Sequence, residues 1–168
     1  MEFLYNFFIY GFIGWIIENI FSYYIHGHFQ KDGFLKGPFK PMYAIAMAWI
    51  LELYSVLPNI MFLIIISFII PTSVEYITGF LMRRFFNKDY WDYSKEKYNY
   101  EGIICLRFSL IWVLLSIIAV KIIHSYFIYE IYKLLNQIWP ILSILCILAF
   151  CIDEILTFID FRKRGQII

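Results

Sequence analysis

Four of the charged side chains inside otherwise apolar runs of this sequence share a similar depth: Glu18, Glu75, Arg107 and Asp153. A lone charge within a bilayer costs roughly 2.5–3.5 kcal/mol by insertion scales, so each must pair or line a wet cavity. Arg107 is the natural partner for Glu75 or Glu18, because a guanidinium stays charged and binds a carboxylate through two parallel donors. One arginine cannot neutralise three carboxylates. At least one carboxyl is then protonated, or reserved for a proton, a cation or a cationic substrate. General base chemistry is the other use of such a group, with Glu18, Glu75 and Asp92 as catalytic candidates and His28 as an assisting residue.

Spacing sets all four at a similar depth. At about 1.5 Å per residue, Glu18 lies about 12 Å above His26, and Glu75 about 12 Å above Arg83. By the same count Arg107 lies about 8 Å above Gly102 and Asp153 about 13 Å above Arg162. The expected site is therefore a cytoplasm-facing polar pocket in the inner half of a bilayer. Trp91, Tyr93 and Tyr43 complete the candidate binding set. A buried network that only fixes helix packing is the competing structural reading, and Glu75→Gln separates the two.

The elements that must hold these groups follow from composition. The 168 residues are 62% hydrophobic and 22% aromatic, with mean hydropathy +0.71, far above the roughly 45–50% apolar content of soluble domains. An all-α, polytopic membrane helix bundle in one domain is expected, since lipid tolerates only structures that satisfy their own backbone. A net charge of +1 gives no basic excess for nucleic acid. Cys105, Cys146 and Cys151 lie in apolar runs without a CxxC pair, so they read as small buried hydrophobes, with no metal, disulfide or cofactor expected. His26 and His28 have no third ligand nearby, and the Met-Glu start lacks the basic opening of a signal peptide. The first segment reads as a retained span.

Spanning helices need about 20 apolar residues, and five segments qualify: about 3–25, 42–57, 58–82, 103–125 and 138–160. The second is short and divided from the third only at Pro58-Asn59. A tight hairpin is expected there, the alternative being a short helix that enters without crossing. Loops 26–41 and 83–102 and the C-terminus share Lys31, Lys36, Lys40, Arg83, Arg84, Lys88, Lys95, Lys97, Arg162, Lys163 and Arg164, against Lys121 and Lys133 opposite. Basic residues collect on the cytoplasmic side, so the N-terminus is expected outside and the C-terminus inside a cell membrane.

Gly11, Gly14, Glu18 and Ser22 share one helix face, where small residues allow close helix approach. Pro71, Glu75 and Gly79 follow at four-residue steps, with a kink expected at Pro71. Ser143, Cys146, Phe150, Asp153, Thr157 and Asp160 form a further stripe, with Glu154 about 100° away. Loop 83–101 mixes charges with seven aromatic rings and reads as a helix or turn lying along the inner leaflet. Nothing reads as strand, repeat or flexible linker.

Gly14-Trp15-Ile-Ile-Glu18, Gly33-Phe-Leu-Lys36-Gly37-Pro38-Phe-Lys40-Pro41-Met-Tyr43, Ser73-Val-Glu75-Tyr76, Trp91-Asp92-Tyr93-Ser94 and Gly102-Ile-Ile-Cys105-Leu106-Arg107 occur in this order. Together they resemble the CmpB-like ABC-transporter (type IV) membrane protein family. Lys36 departs from the polar amide more usual there, and Ile103 from an arginine. The resemblance implies a transporter permease, but the chain has no GxxxxGK[ST] phosphate loop, so ATP hydrolysis would need a separate ATPase subunit. Three functional readings stand. A permease-like component would carry a small solute past Glu18, Glu75, Arg107 and Asp153. A membrane enzyme would act on a lipid or amphiphile at the inner leaflet. A binding or scaffold subunit would do neither, and self-association into a homo-oligomer is open to all three.

Overall fold

The first helix, α1, runs from Glu2 to His26 and stops where Gly27 takes up a left-handed conformation at φ +73°. It belongs to a computed structural model that describes residues 1–29 and 33–163. Lys31 and Arg164 of the basic count lie outside the described residues. Helix α2 (Pro41–Val56) starts on a proline, which suits a first turn whose N–H would have no helical acceptor. Helix α3 (Ile60–Phe86) is capped by Asn59, whose side-chain oxygen accepts from the Met61 and Phe62 N–H groups at 2.8 and 3.3 Å. It continues unbroken through Pro71.

Helix α4 (Leu106–Ile118) runs on through a π-helical segment, Ala119–Ile128, into α5 (Tyr129–Leu135). Helix α6 (Trp139–Lys163) closes the described chain. Four stretches are long and apolar enough to cross a membrane: α1, α3, the continuous run Leu106–Leu135 and α6. Helix α2 is the fifth apolar helix and the short one, at 16 residues.

Why α2 is short is visible in its start. The Lys40 N–H, one residue before α2, donates to the Gly11 carbonyl at 3.0 Å. Gly11 lies 15 residues before the end of α1, about 22 Å of helical rise. Residues 33–40 therefore fold back along α1, and α2 begins near the middle of its length. The divide between the second and third helices falls at 57–59.

Loop 83–101 departs from expectation. Turns run through 94–98, within the expected helix or turn, but where no strand was expected the loop ends in an antiparallel ladder, β1 (Asn99–Tyr100) with β2 (Ile104–Cys105), register Tyr100 to Ile104. With only two residues per strand, it has no hydrophobic alternation to reveal it in sequence. Its turn uses positive φ at Glu101 (55°) and Gly102 (69°), a conformation that glycine supplies at no steric cost.

The apolar core lies where α1, α2, α3, the π-helical segment and the start of α6 meet, around Tyr5, Tyr10, Ile50, Leu63, Val120 and Trp139. The outer faces are apolar too. Ile141, Ile144, Leu148, Ile152 and Ile155 of α6 are all exposed, far more than a water-facing surface normally carries. Lipid is the solvent that accounts for them, and the chain is a membrane protein.

Candidate functional site

Glu75 sits on the buried face of α3, in line with Pro71 and Gly79, and is only 2% exposed. Two neutral groups hold its carboxylate. The Tyr93 hydroxyl donates to Oε1 at 3.0 Å and the Trp112 indole N–H donates to Oε2 at 3.3 Å. Among the described residues no lysine, arginine or histidine forms an ion pair with it.

The Tyr43 ring packs edge-on against Trp112 at 4.9 Å, and its hydroxyl lies within electrostatic reach of both Glu75 and Glu18. Tyr43 can come this close to α1 because Gly14 has no side chain. A Cβ there would lie 2.3 Å from the Tyr43 ring. Burial and the Glu75 carboxylate raise the Tyr93 hydroxyl above its ordinary range, so it remains a donor at neutral pH.

The four residues expected in one pocket are resolved into separate arrangements. Glu18 pairs with Lys40, at the start of α2. Asp153 accepts the backbone N–H groups of Lys36 and Gly37 at 3.2 and 2.9 Å, pinning the fold-back segment to α6. The Lys36 side chain reaches Asp160 at 3.7 Å. Arg107, expected to pair with Glu75 or Glu18, instead meets Glu96 at 3.2 Å and keeps 67% of its side chain exposed. The reason is position. Arg107 is the second residue of α4, close enough to the loop for Glu96 to reach it at far lower desolvation cost than a buried partner.

The Trp91-Asp92-Tyr93-Ser94 stretch is the scaffold that delivers Tyr93 to Glu75. Trp91 donates its indole N–H to the Ile103 carbonyl at 2.7 Å, and Gly79 leaves room for its ring. Asp92 accepts from the Ser94 N–H at 2.8 Å and the Ser94 hydroxyl at 3.0 Å. These two bonds hold its carboxyl below the ordinary range, so it is an ionised turn-former and a weak base. The Tyr93 N–H donates to the Gly102 carbonyl at 2.8 Å, and Tyr93 stacks on Phe108 at 4.6 Å. His28 Nδ1 faces the Phe29 carbonyl at 3.0 Å, beyond the end of α1.

Of the expected residues, Glu75, Tyr93 and Tyr43 converge, and Glu18 stands beside them. Sequence reasoning missed Trp112 and Lys40. An indole in an apolar run still carries an N–H that needs an acceptor, which was the available signal for Trp112. Lys40 was visible only as topology. Among the described residues no cluster of three or more His, Cys, Asp or Glu side chains could hold a metal.

No solved structure matches the chain. The family model described as "Putative ABC-transporter type IV" matches residues 5–158, a stretch that contains Glu18, Glu75, Tyr93 and Asp153. The chain belongs to that family.

Proposed function

We propose that this chain is the multi-pass, permease-like component of a transporter in the cell membrane, with its N-terminus outside and its C-terminus in the cytoplasm. It binds a small cationic solute at Glu75 in the inner half of the bilayer, and a separate ATPase subunit supplies ATP hydrolysis. One observation carries this reading: the Glu75 carboxylate is buried in an apolar span and, among the described residues, held only by neutral donors. A carboxylate so placed is short of one positive charge, which a transported cation can bring. Glu18 is already matched by Lys40 and Asp153 by two backbone donors, so neither offers the same vacancy of charge. In this reading those two residues and Arg107 hold the walls of the pocket. Family membership supports the transporter class and the ATPase partner. The arrangement favours binding over general base chemistry, because Asp92 is taken up by Ser94.

The test is uptake of labelled organic cations into proteoliposomes carrying the chain with its co-purified ATPase. Glu75→Gln should cut uptake at least about tenfold, a loss of about 1.4 kcal/mol in binding, with the thermal midpoint retained. Full uptake with a lowered midpoint would make Glu75 a packing residue and end the proposal.

A further inference from the structure

The outer half of the core holds polar groups that the Glu75 site does not use. Asn6 and Tyr10 on α1 are 4% and 3% exposed. Among the described residues, Asn6 Oδ1, the Tyr10 hydroxyl and His124 Nδ1 are buried atoms without a hydrogen-bond partner. They come from two elements, α1 and the π-helical segment, that touch through the Tyr10 and His124 rings and through the Tyr5 hydroxyl on the Ile128 carbonyl. The Tyr10 ring lies 6.2 Å from the His124 imidazole, which sits in the π-helical segment, a geometry uncommon at this length and frequent at functional sites. Asn6 and Tyr10 are one turn apart, and helical side chains lean toward the N-terminus, so the Tyr10 hydroxyl reaches over Asn6. Tyr5 borders the same space: its hydroxyl donates to the Ile128 carbonyl at 3.3 Å and lies within electrostatic reach of Tyr10.

A buried polar atom without a partner is strongly disfavoured in an apolar interior, and three on successive neighbours, Asn6 beside Tyr10 and Tyr10 beside His124, are more so. We infer that Asn6, Tyr10 and His124 form a second binding site, for a small uncharged molecule that both donates and accepts hydrogen bonds. The three groups themselves set that class. Each is neutral, the amide oxygen only accepts, and the phenol and imidazole can do either. No acidic residue occurs between Phe3 and Ile17 or in the π-helical segment, and Lys121, bonded to Tyr54, stands one turn before His124. A cation is therefore disfavoured. Water or the hydroxyl of a small solute fits, and buried water typically makes about three such bonds. Tyr10 lies eight residues before Glu18, about 12 Å of rise, so the two polar sites occupy different depths.

The sign of one stability change decides the matter. Tyr10→Phe removes one oxygen and nothing else. With the site occupied, the variant loses a hydrogen bond and its thermal midpoint in detergent should fall by about 2–4 °C. The loss should be less than additive with Asn6→Leu, since both contact one occupant. An unchanged or raised midpoint in Tyr10→Phe would overturn the inference, because removing a partnerless hydroxyl is neutral or stabilising. The imidazole nitrogen resonances of labelled wild-type protein ask the same question without a substitution. A hydrogen-bonded Nδ1 at His124 supports the site and a bare one refutes it. Ethylene glycol distinguishes the sources: a saturable rise in the wild-type midpoint, absent in Tyr10→Phe, assigns a solute hydroxyl, and no rise assigns water.

Discussion

The Tyr93 hydroxyl donates to Glu75 Oε1 at 3.0 Å, so a loop residue helps to hold the buried carboxylate of α3. The loop and the span are thereby one unit. Among the described residues, Tyr93→Phe leaves Glu75 with the Trp112 donor alone, and a buried group stripped of a partner costs about 1–3 kcal/mol. Denaturation in detergent should show that loss. It should shrink when Glu75 is already replaced by Leu, because the carboxylate that needed the donor is gone.

Asp92 gives the same loop an acid sensitivity. The Ser94 N–H and hydroxyl lower its carboxyl below the ordinary range. A group whose folded value is depressed contributes stability that is present above its unfolded value, about 3.9, and lost as pH falls through the folded one. Trp91 fluorescence should therefore report loosening of the loop below about pH 4. Asp92→Asn should start from a less stable loop and show a flatter acid response. Identical acid profiles in the two proteins would count against the role of Asp92 as turn-former.

Asp153 makes the corresponding claim for the fold-back segment. Its two oxygens accept the Lys36 and Gly37 N–H groups, and a Cβ on Gly37 would lie 2.9 Å from Oδ2. Asp153→Ala should release both amides. Hydrogen exchange at Lys36 and Gly37 is expected to rise by at least about tenfold, equivalent to about 1.4 kcal/mol of local opening, with exchange in the buried middle of α3 little changed.

The helices and their order were legible because apolar runs of span length dominate the sequence, and Glu18, Glu75 and Asp153 stood out as charges within them. Depth counting set Glu18, Glu75, Arg107 and Asp153 at one level, and Tyr93 and Tyr43 entered the candidate set without a depth of their own. Pairing was not legible. Depth says nothing about which helix faces which, so Arg107 was matched to Glu75 or Glu18 although Glu96 lay nearer along the loop. Lys40 was hidden for another reason. A segment rich in glycine and proline reads as a surface turn, and only the bond from its N–H to the Gly11 carbonyl shows that it runs back along α1. The ladder at Asn99–Cys105 was illegible because its register depends on backbone conformations at Tyr98, Glu101 and Gly102.

Arg107 supplies a prediction from its exposed pairing. Ion pairs at such a surface contribute about 0.2–1 kcal/mol, so Arg107→Gln and Glu96→Gln should each lower stability by less than about 1 kcal/mol. A buried pair with Glu75 would cost about 3–5 kcal/mol on losing one partner. Unfolding curves of the two single variants and the double variant distinguish these magnitudes, and a large Arg107→Gln effect would revive the buried pairing.

Gly11 tests whether the fold-back segment is seated against α1. Replacing a helical glycine by alanine ordinarily stabilises a helix by up to about 1 kcal/mol. Here the added Cβ would lie 2.1 Å from the Phe39 ring. That ring cannot easily retreat, because Phe7, Phe8 and Phe150 surround it at 5.4, 5.8 and 5.2 Å between centroids. Overpacking of this kind costs about 1–3 kcal/mol, which outweighs the gain in propensity. Gly11→Ala should therefore lower the thermal midpoint, and Phe39→Leu in the same chain should restore part of the loss by giving the new methyl group room. A raised midpoint for Gly11→Ala would mean that helix propensity wins, and that residues 33–40 do not pack on α1 as described.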